Sequence, residues 1–178
     1  MASEGDRFGW TTRDRIIHGL LFALAIVSAM QLGGALFDSI VNDPVWSASV
    51  AAARQWTQVD TSRFYIVFSN LLFLLAIITL VVGWRAQRPL RSWLRLATAL
   101  FIIAIAVTII YFLPELQQIR GATAASIADD ELSRRIQRWT LLDNVREALI
   151  LGGFALTLHT LGLSYQVRGR ARDQGVRP

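Results

Sequence analysis

With no cysteine, two histidines and 17% charged residues against 53% hydrophobic ones, this chain of 178 residues excludes disulfides, thiolate metal sites and thiol redox chemistry, and leaves little for metal chemistry. A mean hydropathy of +0.42 is too high for a soluble domain of this size, so a membrane protein is the first expectation. All 18 basic residues are arginine and the net charge is +5, which suggests anionic lipid of the cytoplasmic leaflet as a partner and no nucleic acid.

A membrane span needs about 20 mostly apolar residues. Four segments reach that length in chain order, 16–37, 64–84, 96–113 and 148–167. The expectation is a single all-α membrane domain over 1–178, an up-down-up-down four-helix bundle with loops 38–63 and 114–147 on one side. The first span is too long for a signal-peptide core and no small-residue cleavage site follows it, so it is read as retained. Arg7, Arg13 and Arg15, then Arg85, Arg88, Arg91 and Arg95, then Arg168, Arg170, Arg172 and Arg177 hold 11 of the 18 arginines. That bias puts both termini in the cytoplasm of a bacterial inner membrane. Trp10, Trp84, Trp93 and Tyr165 at the cytoplasmic span ends, with Trp46, Trp56, Tyr111 and Trp139 at the outer ones, form an aromatic belt.

In the first outer loop, "DPVWSASVAAARQW" offers Pro44 to open a helix and an alanine-rich run to continue it along the membrane surface. The second outer loop ends in Asp129 and Asp130, acidic residues suited to a helix amino terminus, so helix four is expected to start outside the membrane. No repeat, low-complexity tract or second domain is evident.

Charges run to the edge of the fourth span in "RRIQRWTLLDNVREALILGG". At 100° per residue, Trp139, Asp143, Arg146, Ile150, Gly153, Thr157, Thr160 and Ser164 share one helical face. That face is mostly small or polar, which a membrane helix turns toward its neighbours. The same test places Gln31 and Asp38 on one face of helix one, Arg63 and Asn70 on one face of helix two, and Thr108, Tyr111 and Glu115 on one face of helix three. All fall in the outer half. A polar cluster is therefore expected between the helices, open outward over an apolar interior, with Asp38, Glu115 and Asp143 offset by Arg63 and Arg146. Glu147 is expected only at its rim. The competing reading is an internal brace, in which Arg146 pairs with Asp143 or Glu115 and does no chemistry.

His18 and His159 lie at compatible depths near the cytoplasmic ends of their spans and offer a bis-histidine haem site as an alternative. Helical phase turns both away from the bundle: His159 lies about 160° from the polar stripe and His18 about 140° from Gln31. Phosphate loops, paired metal histidines and serine elbows are missing from the sequence. A transport pathway would require oligomerisation, and a homo-oligomer is compatible with the chain.

"GALFDSIVNDPVW", "TIIYFLPELQQI" and "RWTLLDNVREALILGGFAL" resemble the anthrone-oxygenase-like family of small four-helix membrane proteins. The resemblance covers nearly the whole chain from helix one to helix four. It implies a small-ligand pocket in the bundle and, for some members, oxidation of anthrones to anthraquinones by molecular oxygen with no evident cofactor. By resemblance, Trp139 and Arg146 match the family pattern, and Asp143 or Asn144 fills the polar position between them where some members carry histidine. The converging polar faces point to a small, partly apolar ligand whose polar group Arg146 and Asp143 orient and on which Trp139 stacks, with Asn144, Gln31, Asp38, Asn70, Thr108, Tyr111 and Glu115 around it, and the resemblance implies that this ligand is phenolic or quinol-like. The rival from another class is a structural or accessory membrane protein without catalytic activity.

Overall fold

The computed structural model describes residues 11–55, 62–86, 88–122 and 126–173, with backbone alone for Ser62 and residues 167–173. Arg7, Trp10, Trp56 and Arg177 lie outside the described residues, as do the side chains of Arg168, Arg170 and Arg172.

Helix α1 (Thr12–Phe37) starts at a reciprocal cap. The Asp14 amide donates to Thr11 Oγ1 and the Thr11 amide to the Asp14 carboxylate, both at 3.2 Å, which satisfies two end donors. A five-residue π-helical segment, π1 (Asp38–Asn42), then runs into the short α2 (Asp43–Trp46). After α3 (Val50–Arg54) come α4 (Ser62–Gly83) and α5 (Arg88–Val107), a second π segment, π2 (Thr108–Phe112), α6 (Leu113–Arg120), and α7 (Asp129–Asp173). Among the described residues there is no strand. Four helical runs, Thr12–Trp46, Arg63–Gly83, Arg88–Arg120 and Asp129–Gln166, are long and apolar enough to cross a membrane.

The two π segments share a cause. Pro44 follows the start of π1 by six residues and Pro114 follows the start of π2 by six. Proline offers no amide to the carbonyl one turn back and crowds it, so the helix widens by a residue just ahead of the ring. The Asp43 amide accordingly reaches the Asp38 carbonyl, and the Leu113 amide that of Thr108. This local correspondence between helix one and helix three is invisible as a sequence repeat.

The bundle closes as a ring in which α1 packs on α4 and α7, and α5 packs on α4 and α7. Every neighbour is antiparallel. Arg13 Nη2 donates to the Val82 carbonyl at 3.2 Å, and Ser39 Oγ to Glu147 Oε1 at 2.6 Å. At Gly153 a Cβ would meet the Phe101 ring at 2.7 Å, and at Gly34 it would collide with Phe64. Such close approach is how membrane helices gain packing energy, since lipid competes equally for apolar surface. Leu24, Val27, Leu72, Ala76, Phe101, Ala104, Ile105 and Ile150 fill the middle. The interior hydroxyls of Ser28, Thr98 and Thr157 donate to carbonyls of their own helices at 2.7 to 2.9 Å, so none is stranded in the apolar interior.

Helix α7 has 45 residues, about 68 Å at 1.5 Å per residue, so it overshoots any bilayer. Its acidic first turn (Asp129, Asp130, Glu131) sits where the helix dipole favours it. The overshoot carries a cap. Trp46, Ala53, Phe112, Ile119, Ala122, Leu132, Ile136 and Trp139 form a second core among α2, α3, α6 and the start of α7. Arg54 ties α3 to Asp129 at 2.5 Å, and Arg135 ties α7 to Glu115 at 3.5 Å and to Gln118 at 2.6 Å.

This cap corrects two expectations. The alanine-rich run is not a continuous surface helix: Ser49 interrupts it and caps α3, and Ala53 is buried. Among the described aromatic residues, a belt persists only at the α4–α5 turn and the end of α7, where Trp84, Trp93 and Tyr165 are exposed. At the other end Trp46 and Trp139 stack edge to face at 5.4 Å inside the cap, where ring burial outweighs an interfacial position.

Candidate functional site

A cavity of about 140 Å³ lies at the junction of bundle and cap, and all four long helical runs line it. Helix α7 supplies Trp139, Asp143 and Arg146, which its stripe carries inward. The widened turns supply Asp38 and Asn42 from π1 and Thr108, Ile109 and Phe112 from π2, and α4 adds Tyr65, Ile66, Ser69 and Asn70.

Asp143 and Arg146 form an ion pair of 2.7 Å one turn apart on α7, with side chains only 6% and 10% exposed. The guanidinium also lies 5.0 Å over the Phe112 ring. Asp143 Oδ1 is taken up by the ion pair, whereas Arg146 Nε and Trp139 Nε1 are buried without a hydrogen-bond partner among the described residues. Two donors of two neighbouring side chains that line the cavity are thus unsatisfied, and stranding either costs roughly 1–3 kcal/mol. Opposite them, Asn42 donates to the Asp38 carboxylate, and Trp46 Nε1 donates to Asp43 Oδ1 at 3.0 Å.

The sequence-derived residues divide. Asp38, Asn70, Thr108, Trp139, Asp143 and Arg146 line the cavity. Gln31 is buried beside it, donating to Ser69 Oγ at 3.2 Å, with its Oε1 unpartnered. Tyr111 packs against the cap core with its hydroxyl unpartnered, and Arg138 lies 5.5 Å over its ring. Glu115 pairs with Arg135 in the cap and does not face Arg146. Arg63 is exposed and leaves the cluster, and Asn144 is exposed on the far side of α7 from the stripe. Glu147, expected at the rim, is buried and accepts the Ser39 hydroxyl.

Sequence reasoning missed Asn42, Asp43, Tyr65 and Phe112. The first two and the last lie in or beside the π segments, where a uniform 100° wheel loses phase. Tyr65 had a readable signal, its spacing of four from Ser69 on the inward face of α4.

Five cavity residues are exposed, Ile66 and Asn70 on α4 and Ile109, Leu113 and Arg120 on π2 and α6. The exposed part of its lining therefore lies on α4 and on π2–α6.

The two histidines face different neighbours. His18 lies on the α1–α7 seam, its Nδ1 3.3 Å from Ser164 Oγ and its Nε2 2.9 Å from Tyr165 Oη. His159 packs on Trp93 of α5, ring centroids 4.9 Å apart. Among the described residues no group of three or more His, Cys, Asp or Glu side chains is placed to hold a metal ion.

A ring of four helical runs long and apolar enough to cross a membrane, around a cavity of mixed polarity, defines a multi-pass membrane protein with a four-helix core. Residues 61–156 match the family model described as anthrone oxygenase, a stretch running from the start of α4 to the middle of α7 and including Tyr65, Thr108, Trp139, Asp143 and Arg146. The chain belongs to the anthrone oxygenase family. No curated protein and no solved structure matches it.

Proposed function

We propose that this protein is a cofactor-independent oxygenase of phenolic or anthrone-like substrates, seated in a bacterial inner membrane with both termini in the cytoplasm. The observation that carries the reading is the buried Asp143–Arg146 pair in the wall of one cavity, with Arg146 Nε and Trp139 Nε1 left without a partner among the described residues. A ligand with one ionisable oxygen would complete them: Arg146 Nε and Trp139 Nε1 donate to that oxygen, and Asp143 accepts a proton.

For an anthrone, Asp143 takes a proton from the methylene carbon, and Arg146 balances the charge that moves to the ring oxygen. The carbanion transfers an electron to molecular oxygen, and recombination forms a carbon–oxygen bond to a peroxide. Loss of the second methylene proton with cleavage of the oxygen–oxygen bond leaves a ketone and expels hydroxide, which takes up the first proton as water. One anthrone and one oxygen molecule thus give one anthraquinone and one water, and the electrons come from the substrate.

Oxygen uptake by the detergent-purified protein with anthrone is the test. Activity in the native chain that falls by about 10²-fold or more in Asp143→Asn, with the protein still folded, supports the proposal. Equal uptake by both proteins, at the rate without protein, sinks it and leaves the non-catalytic brace reading.

The haem reading finds no support in side-chain placement, because His18 and His159 line different seams. An absorption spectrum before and after dithionite reduction decides it: a Soret band lost in His159→Ala would restore haem.

A further inference from the structure

The way into this cavity is as informative as its floor. On the cap side Trp46, Phe112, Ile119, Leu132, Ile136 and Trp139 are packed against one another. Toward the middle of the bundle, Ile105 and the apolar core close it. On the α1 and α7 sides its lining is buried or half-buried. All five exposed lining residues lie on two elements, α4 and π2–α6, which form no packed seam with each other among the described residues, although α4 packs along α5 just before π2.

The widened turn at π2 lies beside the amino-terminal half of α4, where both elements line the cavity. The slot left between them is edged by Ile66 (52% exposed), Ile109 (55%) and Leu113 (38%), with Asn70 beside them and Arg120 at the cap end. Ile66 and Asn70 belong to an apolar membrane-crossing run and Ile109 to another. Their exposed neighbours Val67, Leu71, Leu74 and Ile110 are the apolar surface that such a run turns to lipid. The slot therefore opens onto hydrocarbon, not onto water.

We infer that the cavity is loaded from within the bilayer, through the slot between α4 and π2–α6, by a membrane-dissolved molecule whose apolar body passes Ile66, Ile109 and Leu113 while its one polar end reaches Trp139, Asp143 and Arg146. This rests on the cavity being a ligand site, as proposed above, and adds the substrate's class and its gate. Highly hydrated compounds are disfavoured because Ile66, Ile109 and Leu113 dominate the slot, with Asn70 its polar side chain at bilayer depth and Arg120 only at the cap end.

The absence of native cysteine allows a test independent of catalysis. Ser69→Cys places a single thiol in the cavity wall. In phosphatidylcholine vesicles, with reagent on both sides, a pyrene maleimide that dissolves in the bilayer is expected to label it about tenfold faster than a disulfonated stilbene maleimide that does not. Adding Ile109→Trp, or Ile66→Phe should the first variant fail to fold, is expected to slow the lipophilic reagent by about tenfold by filling the slot. Equal labelling by both reagents, or labelling untouched by either slot variant, overturns the inference. Failure of the oxygenase reading alone shows differently: the labelling pattern persists while anthrone-dependent oxygen uptake is absent.

Discussion

Arg146 meets three obligations at once. It neutralises Asp143 at 2.7 Å, lies over Phe112, and keeps its Nε uncommitted at the cavity. Removing it leaves a buried carboxylate without its counter-charge, so Arg146→Ala is expected to destabilise the protein by about 3 kcal/mol, measurable as a lowered Tm in detergent. The double variant Arg146→Met with Asp143→Leu removes both charges and is expected to recover most of that loss. A brace would be replaceable in this way without further consequence. A site would not, because the recovered protein still lacks the donor and acceptor a ligand needs. Asn144 is the counter-example at this scale: it is next in sequence to Asp143, yet one residue is 100° on a helix, and it is exposed.

Among the elements, the two π segments do what straight helices could not. Each adds a residue to the turn ahead of a proline and brings polar side chains of helices one and three to the same cavity. They also set the phase of helix three. A uniform wheel aligns Thr108, Tyr111 and Glu115, but the residue gained across π2 shifts the phase after it. Thr108 stays at the cavity, Tyr111 turns to the cap core and Glu115 turns to Arg135. The α5–α7 seam makes a cleaner demand on sequence. Gly153→Ala must push the Phe101 ring from a 2.7 Å approach and is expected to cost about 1–3 kcal/mol. Gly162→Ala meets nothing within 4 Å on the same helix and is expected to be neutral or stabilising by up to about 1 kcal/mol. Thermal unfolding of the two variants side by side checks the pair, and equal effects would mean the seam is not closely packed.

At the scale of the whole molecule, the proposed topology puts the cap outside the cell. With no native cysteine, Val50→Cys on α3 reports this directly. A membrane-impermeant maleimide added to intact spheroplasts is expected to label it, whereas a cysteine at Arg85, in the α4–α5 turn, is expected to react only after permeabilisation. The reverse pattern would invert the topology.

The sequence by itself determined what is local or additive. Four apolar lengths, an inward stripe on α7 from Trp139 to Ser164, and a fourth helix beginning ahead of its span were all readable, because length, hydropathy and a 3.6-residue period are properties of one segment at a time. Only the tertiary structure decided which charges meet. Arg63 stands outside, Glu115 joins Arg135, Glu147 takes Ser39, and Asn42, Asp43 and Tyr65 reach the cavity. It also decided that Trp46 and Trp139 pack in a cap, and that the exposed lining of the cavity lies on α4 and π2–α6. Those outcomes depend on helical phase after a π turn and on which neighbour occupies each face, and a single segment contains neither quantity.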